Sequence, residues 1–295
     1  MVMFHGGPWS PMIYGMSYLG FYPELFHRFT LVWWDQYGCG TNYANDVPPT
    51  IDVHDFAAMA VDLVDALHRR YPDRAIILNG FSFGTYLTMH VADARPDVIS
   101  AVINVAPIMN MRESIGNFTR SVENRLSSAQ RRQLERLSEG TRYDPYLSRV
   151  ESLAARFTHG FSYRAPIFNG MLLRWLLRWF TSREYGLSDV WGAAMGLLPP
   201  GRSPRFARLW DSMGQIDLWS IARSTKIPVL YIQGDSELYV LPDQLCRLAA
   251  RRSSVHYVRI SRSGHIPTRR AWKLMEQAMI DFGVDVTASG EDESR

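Results

Sequence analysis

Short apolar runs alternate along this chain with longer stretches in which apolar residues recur every three or four positions. The short runs have the length and composition of buried strands, and they lie at residues 2–4, 30–34, 75–79, 99–105, 228–233 and 256–260. The longer stretches predict helices at residues 53–70, 85–92, 243–251 and 268–282. This alternation predicts an α/β fold, with a mostly parallel sheet and helices on both of its faces.

Residues 110–220 interrupt the alternation, because they are rich in Arg, Trp, Leu and Met and contain no convincing strand. We therefore divide the chain into a first core part (1–109), an all-helical insertion (110–220), a second core part (221–285) and a polar tail (286–295). The tail is expected to be disordered. An insertion at this place lies beyond the carboxyl ends of the strands, where open sheets bind ligands, so it is predicted to form a cap.

The overall charge of the 295-residue chain is +3, which implies no polyanionic partner and no nucleic acid. The charge is uneven, since residues 112–183 hold thirteen Arg and no Lys against six Asp or Glu. A solvated helical surface accounts for this excess, and attraction of an anionic substrate is the alternative.

The two cysteines, Cys39 and Cys246, form no disulfide framework and are not spaced as metal ligands. Reduced thiols, together with the lack of a signal-peptide pattern, favour a cytoplasmic protein. The most apolar stretch, at residues 171–180, is too short to span a bilayer, so we predict no stable membrane insertion. We expect it to line or close an apolar pocket, and a position on a membrane surface is the alternative.

Residues 80–84 read Gly-Phe-Ser-Phe-Gly and stand between a predicted strand and a predicted helix. A G-x-S-x-G sequence in this context indicates the nucleophile elbow of an α/β-hydrolase fold. The serine occupies a sharp, strained turn, and the flanking glycines are needed where a Cβ has no room. Ser82 is therefore the predicted nucleophile.

A serine hydroxyl needs a base to take its proton and an acid to orient that base. In this fold the chain order is serine, acid, histidine, which selects His265, directly after the last strand. Two carboxylates, Asp235 and Glu237, follow the preceding strand. The acid commonly comes third after the glycine, which favours Glu237, whereas Asp235 would hydrogen-bond the backbone of its turn.

Two backbone N–H groups are expected to stabilise the oxyanion. One belongs to Phe83, which follows the nucleophile, and the other to Gly7, in the loop after the first strand. His5 lies in the same loop and is expected to shape it through hydrogen bonds rather than transfer protons. The predicted substrate pocket includes Trp9, Tyr37 and Phe81, together with cap aromatics such as Trp175 and Trp191. Core packing is the alternative role of these aromatic side chains.

Three motifs together resemble the proline iminopeptidase-like branch of the α/β-hydrolases. Residues 5–8 are similar to the HGGP oxyanion loop of that family, residues 34–40 to its WDQRGCG segment, and residues 80–84 to its GxSxG. The resemblance implies a serine hydrolase that acts without a cofactor on an ester or amide bond of a small molecule or short peptide, including an N-terminal aminoacyl bond.

The chain also differs from that family. Trp9 replaces a glycine, Tyr37 replaces an arginine, and the Trp-Glu pair by which iminopeptidase caps often hold a substrate amine does not occur. The cap residues that could balance an ammonium group are Glu113, Glu123, Glu151, Glu184 and Asp189. The alternative function is a non-hydrolytic enzyme of secondary metabolism on the same scaffold, namely a cyclase, acyltransferase or lyase.

Members of the family normally carry two further strands before the HGGP loop, in addition to the one at residues 2–4, but here the loop begins at His5. If these N-terminal strands are missing, the strand at residues 30–34 forms an exposed apolar edge, which is a site for unwanted pairing. Either the native product starts upstream or another chain covers the edge. We therefore predict a homodimer or poor solubility for the 295-residue chain.

Overall fold

The computed structural model describes residues 1–8, 23–42, 47–139, 143–160 and 207–292. Its centre is one six-stranded sheet in the order β2-β1-β3-β4-β5-β6, and every neighbouring pair is parallel. The strands are β1 (Val2–Phe4), β2 (Val32–Trp34), β3 (Ile76–Phe81), β4 (Ile99–Val105), β5 (Val229–Gly234) and β6 (Val255–Ile260). The six predicted strands are thus confirmed, with differences of one or two residues at half of their ends.

Alternate residues of the central strands face two separate apolar clusters. On one face Phe4, Leu78 and Tyr231 join the larger cluster, while on the other Met3 and Ile77 join the smaller one. Because successive side chains of a strand point to opposite faces, a strand covered on both sides must be apolar throughout. This explains why the sequence shows short continuous apolar runs instead of a polar–apolar alternation.

Helices cover both faces of the sheet. In the described ranges they are α1 (Leu25–Arg28), α2 (Val53–Arg70), α3 (Gly84–Ala94), α4 (Met111–Val122), α5 (Ser128–Ser138), α6 (Tyr143–Phe157), α7 (Ala207–Ser212), α8 (Trp219–Ser224), α9 (Pro242–Ala249) and α10 (Arg269–Asp292). Helix α2 has the predicted bounds. Asp52 begins it with a capping box, because its carboxylate accepts the N–H of His54 while Asp55 accepts the N–H of Asp52.

The two ends of the predicted cap insertion are joined to each other shortly after β4. Asn110 and Asp217 form an antiparallel bridge, and next to it the N–H of Leu218 donates to the carbonyl of Met109 at 2.7 Å. The described parts of residues 110–220 between these ends contain only helices, turns and loops. This closed base holds the insertion in place beyond the end of β4.

The carboxyl-terminal segment differs from the expectation of a disordered tail at 286–295. Helix α10 continues to Asp292, and residues 293–295 lie outside the described residues. The helix extends because Val286 still packs against the smaller apolar cluster and the Thr287 hydroxyl donates to the carbonyl of Gly283 at 3.0 Å. Polar composition alone therefore misjudged residues 286–292.

Strand β2 lies at one end of the described sheet, as the order of the strands requires. Its three residues, Val32, Trp33 and Trp34, are half-buried. The Trp34 ring packs edge-on against Phe4 at 5.6 Å, and the Trp33 ring lies 6.1 Å from Phe26. The expected homodimer or poor solubility stays a prediction.

Candidate active site

Ser82 occupies the turn between β3 and α3 with a φ of 54°, in the left-handed region that non-glycine residues rarely adopt. The neighbouring glycines explain how this turn can form. A Cβ on Gly80 would stand 2.6 Å from the carbonyl of Gly84, and one on Gly84 would stand 2.2 Å from the carbonyl oxygen of Phe4. The strained turn aims the Ser82 hydroxyl outward from the carboxyl end of the central strand.

Three side chains that are far apart in the sequence meet at this turn. His265 Nε2 lies 2.9 Å from Ser82 Oγ, and His265 Nδ1 lies 2.9 Å from Glu237 Oε2. Their exposed fractions are 6% for Ser82, 3% for His265 and 1% for Glu237. In the tautomer that satisfies both contacts, the serine donates to Nε2 while Nδ1–H donates to the carboxylate. This arrangement can remove a proton from the serine hydroxyl.

The two candidate acids have different partners. Glu237 reaches His265 with one carboxylate oxygen, and its other oxygen accepts the N–H groups of Leu238 (2.8 Å) and Tyr239 (3.0 Å). Both oxygens of Glu237 are thereby held in place. The structure brings this carboxylate, and not that of Asp235, to the imidazole.

Asp235 instead fastens the loop after β6. Its carboxylate accepts the N–H groups of Arg262 (2.9 Å) and Ser263 (3.3 Å). Partial burial acts to raise the pKa of Asp235, but these two hydrogen bonds, a third from the Ser236 hydroxyl and the charge of Arg259 together outweigh it, so its pKa lies below the ordinary value. Asp235 therefore supports the loop that carries His265, and the backbone groups that it binds belong to that loop rather than to its own turn.

The loop after β1 lies directly against Ser82. A Cβ on Gly6 would stand 3.1 Å from Ser82 Cβ and 3.0 Å from the Phe81 ring, so the backbone here approaches as closely as a glycine allows. Gly7 follows with a φ of 113°, which also favours glycine. Phe83 precedes α3, where the first N–H groups of a helix lack intrahelical acceptors. Both predicted donor residues thus flank the Ser82 turn.

His5 ties this loop to the segment after β2. Its Nδ1 lies 2.8 Å from the carbonyl of Gly6, while its Nε2 accepts the N–H of Gln36 at 3.1 Å. The Gln36 side chain returns a hydrogen bond to the carbonyl of His5 at 3.1 Å. Burial lowers the pKa of His5, which favours the neutral ring that these contacts require. This agrees with the expected loop-shaping role.

The predicted pocket residues have different surroundings. Phe81 is half-buried, and its ring lies 5.7 Å from the His265 ring and 5.8 Å from the Trp272 ring. Tyr37 is half-buried and packs against the larger apolar cluster. The other aromatics assigned to the pocket, Trp9, Trp175 and Trp191, lie outside the described residues.

Sequence reasoning missed two residues that contact His265. Tyr239 places its ring centroid 4.2 Å from the imidazole centroid, and Gly160 accepts the N–H of His265 at 2.8 Å. Tyr239 could have been found from its position two residues after Glu237. Gly160 carries no such signal, because it lies in the turn after α6 and reaches the site only through the folding of the insertion.

A profile of the alpha/beta hydrolase fold matches residues 1–268. This chain belongs to the alpha/beta hydrolase fold family. The match includes the Ser82 turn, Glu237 and His265, and it agrees with the observed sheet and the helices on its two faces.

Relatives of this alpha/beta hydrolase include peptidases and esterases. The probable aminopeptidase YbaC of Bacillus subtilis (strain 168) is 24% identical over 249 residues, which are 81% of this chain and 74% of that protein. The solved proline iminopeptidase of Mycobacterium smegmatis matches with a TM-score of 0.65 and 15% identity over 98% of this chain and 90% of that one. A thermophilic esterase from Thermogutta terrifontis matches with a TM-score of 0.56 and 18% identity over 97% and 89%. The predicted α/β-hydrolase family is thereby confirmed, and a probable aminopeptidase and a proline iminopeptidase are among the proteins that this chain is similar to.

Two other kinds of feature are absent from the described residues. No cluster of three or more His, Cys, Asp or Glu side chains in this part of the alpha/beta hydrolase could hold a metal ion. Among its described helices, none has the length and apolar composition needed to cross a membrane.

Proposed function

We propose that the protein is a serine hydrolase that cleaves an ester or amide bond by way of an acyl-enzyme. The observation that carries the proposal is the pair of 2.9 Å contacts that join Ser82 to His265 and His265 to Glu237. Membership of a hydrolase family supports it, since that family has a nucleophile, an acid and a histidine in this chain order.

In the first step Ser82 Oγ attacks the substrate carbonyl carbon while its proton passes to His265 Nε2. The carbonyl oxygen becomes an oxyanion, which the N–H groups of Gly7 and Phe83 stabilise together with the amino end of α3. Glu237 holds the imidazole in place and balances the charge of the imidazolium. The tetrahedral species then breaks its bond to the alcohol or amine, which leaves with the proton from Nε2.

Water completes the reaction by the same route. It gives a proton to His265 Nε2 and attacks the acyl carbon, and the second tetrahedral species releases the carboxylic acid as Ser82 Oγ recovers the proton. Every proton is returned, so the cycle consumes only the substrate and one water. No step of this scheme needs a cofactor.

The substrate is proposed to be a small ester or a short peptide with an accessible amino terminus. The aminopeptidase and proline iminopeptidase among the relatives support the peptide, and the esterase supports the ester. Burst release from p-nitrophenyl esters, measured beside hydrolysis of aminoacyl-naphthylamides, distinguishes these two substrate classes.

A fluorophosphonate probe tests the nucleophile directly, because it reacts with an activated serine. We expect the native chain and a Ser224→Ala control to be labelled, and labelling and ester hydrolysis to be lost in Ser82→Ala. Ser224 is exposed and only hydrogen-bonds its own helix, so it serves as the matched control. Full hydrolysis by Ser82→Ala would overturn the proposed function.

A further inference from the structure

Tyr239 lies between the catalytic histidine and the cap. It is 7% exposed, and its ring centroid is 4.2 Å from that of His265, with 41° between the two planes. Its backbone N–H donates to Glu237 Oε1 at 3.0 Å. One residue therefore contacts both the base and the acid of the proposed mechanism.

The phenol of Tyr239 connects this pair to helix α6. Its hydroxyl donates to Oε1 of Glu151, which is half-buried in the middle of that helix. The buried side chains of Leu147, Val150 and Leu153 hold α6 against the apolar cluster. Because a hydrogen bond to a carboxylate is stronger than a neutral one, the position of the Tyr239 ring depends on the position of α6.

The imidazole also has contacts on its other sides. The Phe81 ring lies 5.7 Å away, and Gly160, in the turn after α6, accepts the N–H of His265 at 2.8 Å. A Cβ on Gly264 would stand 2.2 Å from the carbonyl oxygen of His159, so this turn presses on the His265 loop. Helix α6 thus reaches the histidine by two routes, through Glu151 and Tyr239 and through its final turn.

We propose that Tyr239 is a positioning residue that stabilises the imidazolium form of His265, and that Glu151 of the cap helix α6 strengthens this effect. The proposal rests on the proposed function, in which His265 becomes positively charged at each proton transfer. An aromatic face within about 6 Å attracts a cation, and donation of the phenol proton to a carboxylate makes that face more electron-rich. Such a contact shifts the equilibrium between the imidazole and the imidazolium by about twofold when the contact is exposed and by about thirtyfold when it is desolvated.

Several groups face or adjoin the imidazole and enter its pH response. In the described residues they are Glu237 at Nδ1, Ser82 at Nε2, Tyr239 with Glu151 behind its phenol, and His159 in the adjoining turn. Of these groups, only the Tyr239–Glu151 pair connects the imidazole to helix α6 through the phenol. A change confined to this pair therefore isolates the proposed effect.

The test compares variants that remove the phenol, the ring or the charge. Tyr239→Phe keeps the ring and loses the hydroxyl, Tyr239→Leu removes the aromatic face, and Glu151→Gln keeps an acceptor without the charge. Tyr146→Phe is the matched control, because Tyr146 lies on the same helix as Glu151. Its phenol is 3.1 Å from the Thr119 hydroxyl, and this contact does not involve His265. Steady-state hydrolysis of a p-nitrophenyl ester across pH is measured for each full-length variant, together with Tm.

We expect kcat to fall about tenfold in Tyr239→Leu and about threefold in Tyr239→Phe and in Glu151→Gln, with KM unchanged. The acid limb of the kcat/KM profile should move to lower pH, because the imidazolium loses stabilisation. The Tyr239→Phe and Glu151→Gln double variant should lose no more than either single variant. The Tyr146→Phe control should keep both the native rate and the native profile.

Native kcat and an unmoved acid limb in Tyr239→Phe and Glu151→Gln, at native Tm, would overturn the inference. So would a loss of rate that follows the loss of Tm while the acid limb stays in place, since that result describes a merely structural contact. If Tyr239→Leu fails to fold, the rate and pH profile of Tyr239→Phe decide whether the inference holds. The proposed function is judged separately, by the loss of activity in Ser82→Ala.

Discussion

Replacing Glu237 by glutamine should reverse the hydrogen bonding of His265 without changing the shape of the site. Glu237 Oε1 accepts the N–H groups of Leu238 and Tyr239, and Oε2 faces His265 Nδ1. A glutamine has one acceptor oxygen, which must stay with the two backbone donors because leaving them buried and unpaired is costly. Its NH₂ group then faces Nδ1, so that nitrogen becomes an acceptor and the ring proton moves to Nε2, opposite Ser82.

An imidazole with its proton on Nε2 cannot accept the proton of the serine hydroxyl. Loss of the correct tautomer lowers kcat by about 10⁴ in serine hydrolases of another fold, which corresponds to about 5 kcal/mol of transition-state stabilisation. We expect a decrease of about 10³ to 10⁴ in kcat for Glu237→Gln, with little change in KM. Pre-steady-state and steady-state release of p-nitrophenol measure the acylation and turnover rates.

Asp235→Asn is the control for this prediction. The asparagine oxygen can still accept the N–H of Arg262 or Ser263, so we expect a modest loss of stability and a rate within about tenfold of the native one. The reasoning would be refuted if Asp235→Asn were severely impaired while Glu237→Gln kept its rate.

Two further predictions concern the loops around the site. Gly84→Ala would place a Cβ 2.2 Å from the carbonyl oxygen of Phe4. We therefore expect a loss of about 3 kcal/mol or more in stability, seen as a lower Tm, together with loss of activity. In the control Gly116→Ala the new Cβ would meet only the flexible Arg120 side chain at 3.1 Å, so this variant should be neutral or stabilising. Equal Tm values for these two variants would contradict the steric argument. Burial lowers the pKa of His5 from its ordinary value of 6.5. The part of the folding stability that depends on the neutral ring is therefore complete above about pH 6.5, and it is lost as the pH falls through the folded-state pKa. Thermal melts should show this acid loss in the native chain and a smaller one in His5→Asn; identical slopes would count against it.

Local pattern was enough to predict the framework of this protein. Six apolar runs give the strands, of which β1, β3, β4 and β5 are buried along nearly their whole length, and the helical spacing of residues 53–70 gives α2 with its observed bounds. The Ser82 turn was also predictable, because glycine is required by contacts with immediate chain neighbours and with β1. The sequence motifs at 5–8 and 34–40 occur together for a reason that the structure supplies, namely the hydrogen bonds between His5 and Gln36.

Where composition replaced local pattern, the prediction was weaker. Residues 286–292 are polar, yet they continue α10, because a helix already formed and packed through Val286 can be extended at little cost. The choice between Asp235 and Glu237 likewise rested on spacing alone. Their partners decide it, since one carboxylate accepts backbone N–H groups of the loop after β6 and the other reaches the imidazole.

The amino-acid sequence by itself determined the strands, the Ser82 turn and the kinds of side chain available at the candidate site, because these follow from periodicity and from contacts between near neighbours. Only the tertiary structure decided what surrounds His265. Tyr239, Glu151 and Gly160 meet there because the insertion folds back onto the sheet, and contacts between segments so distant in the chain leave no periodic pattern in the sequence.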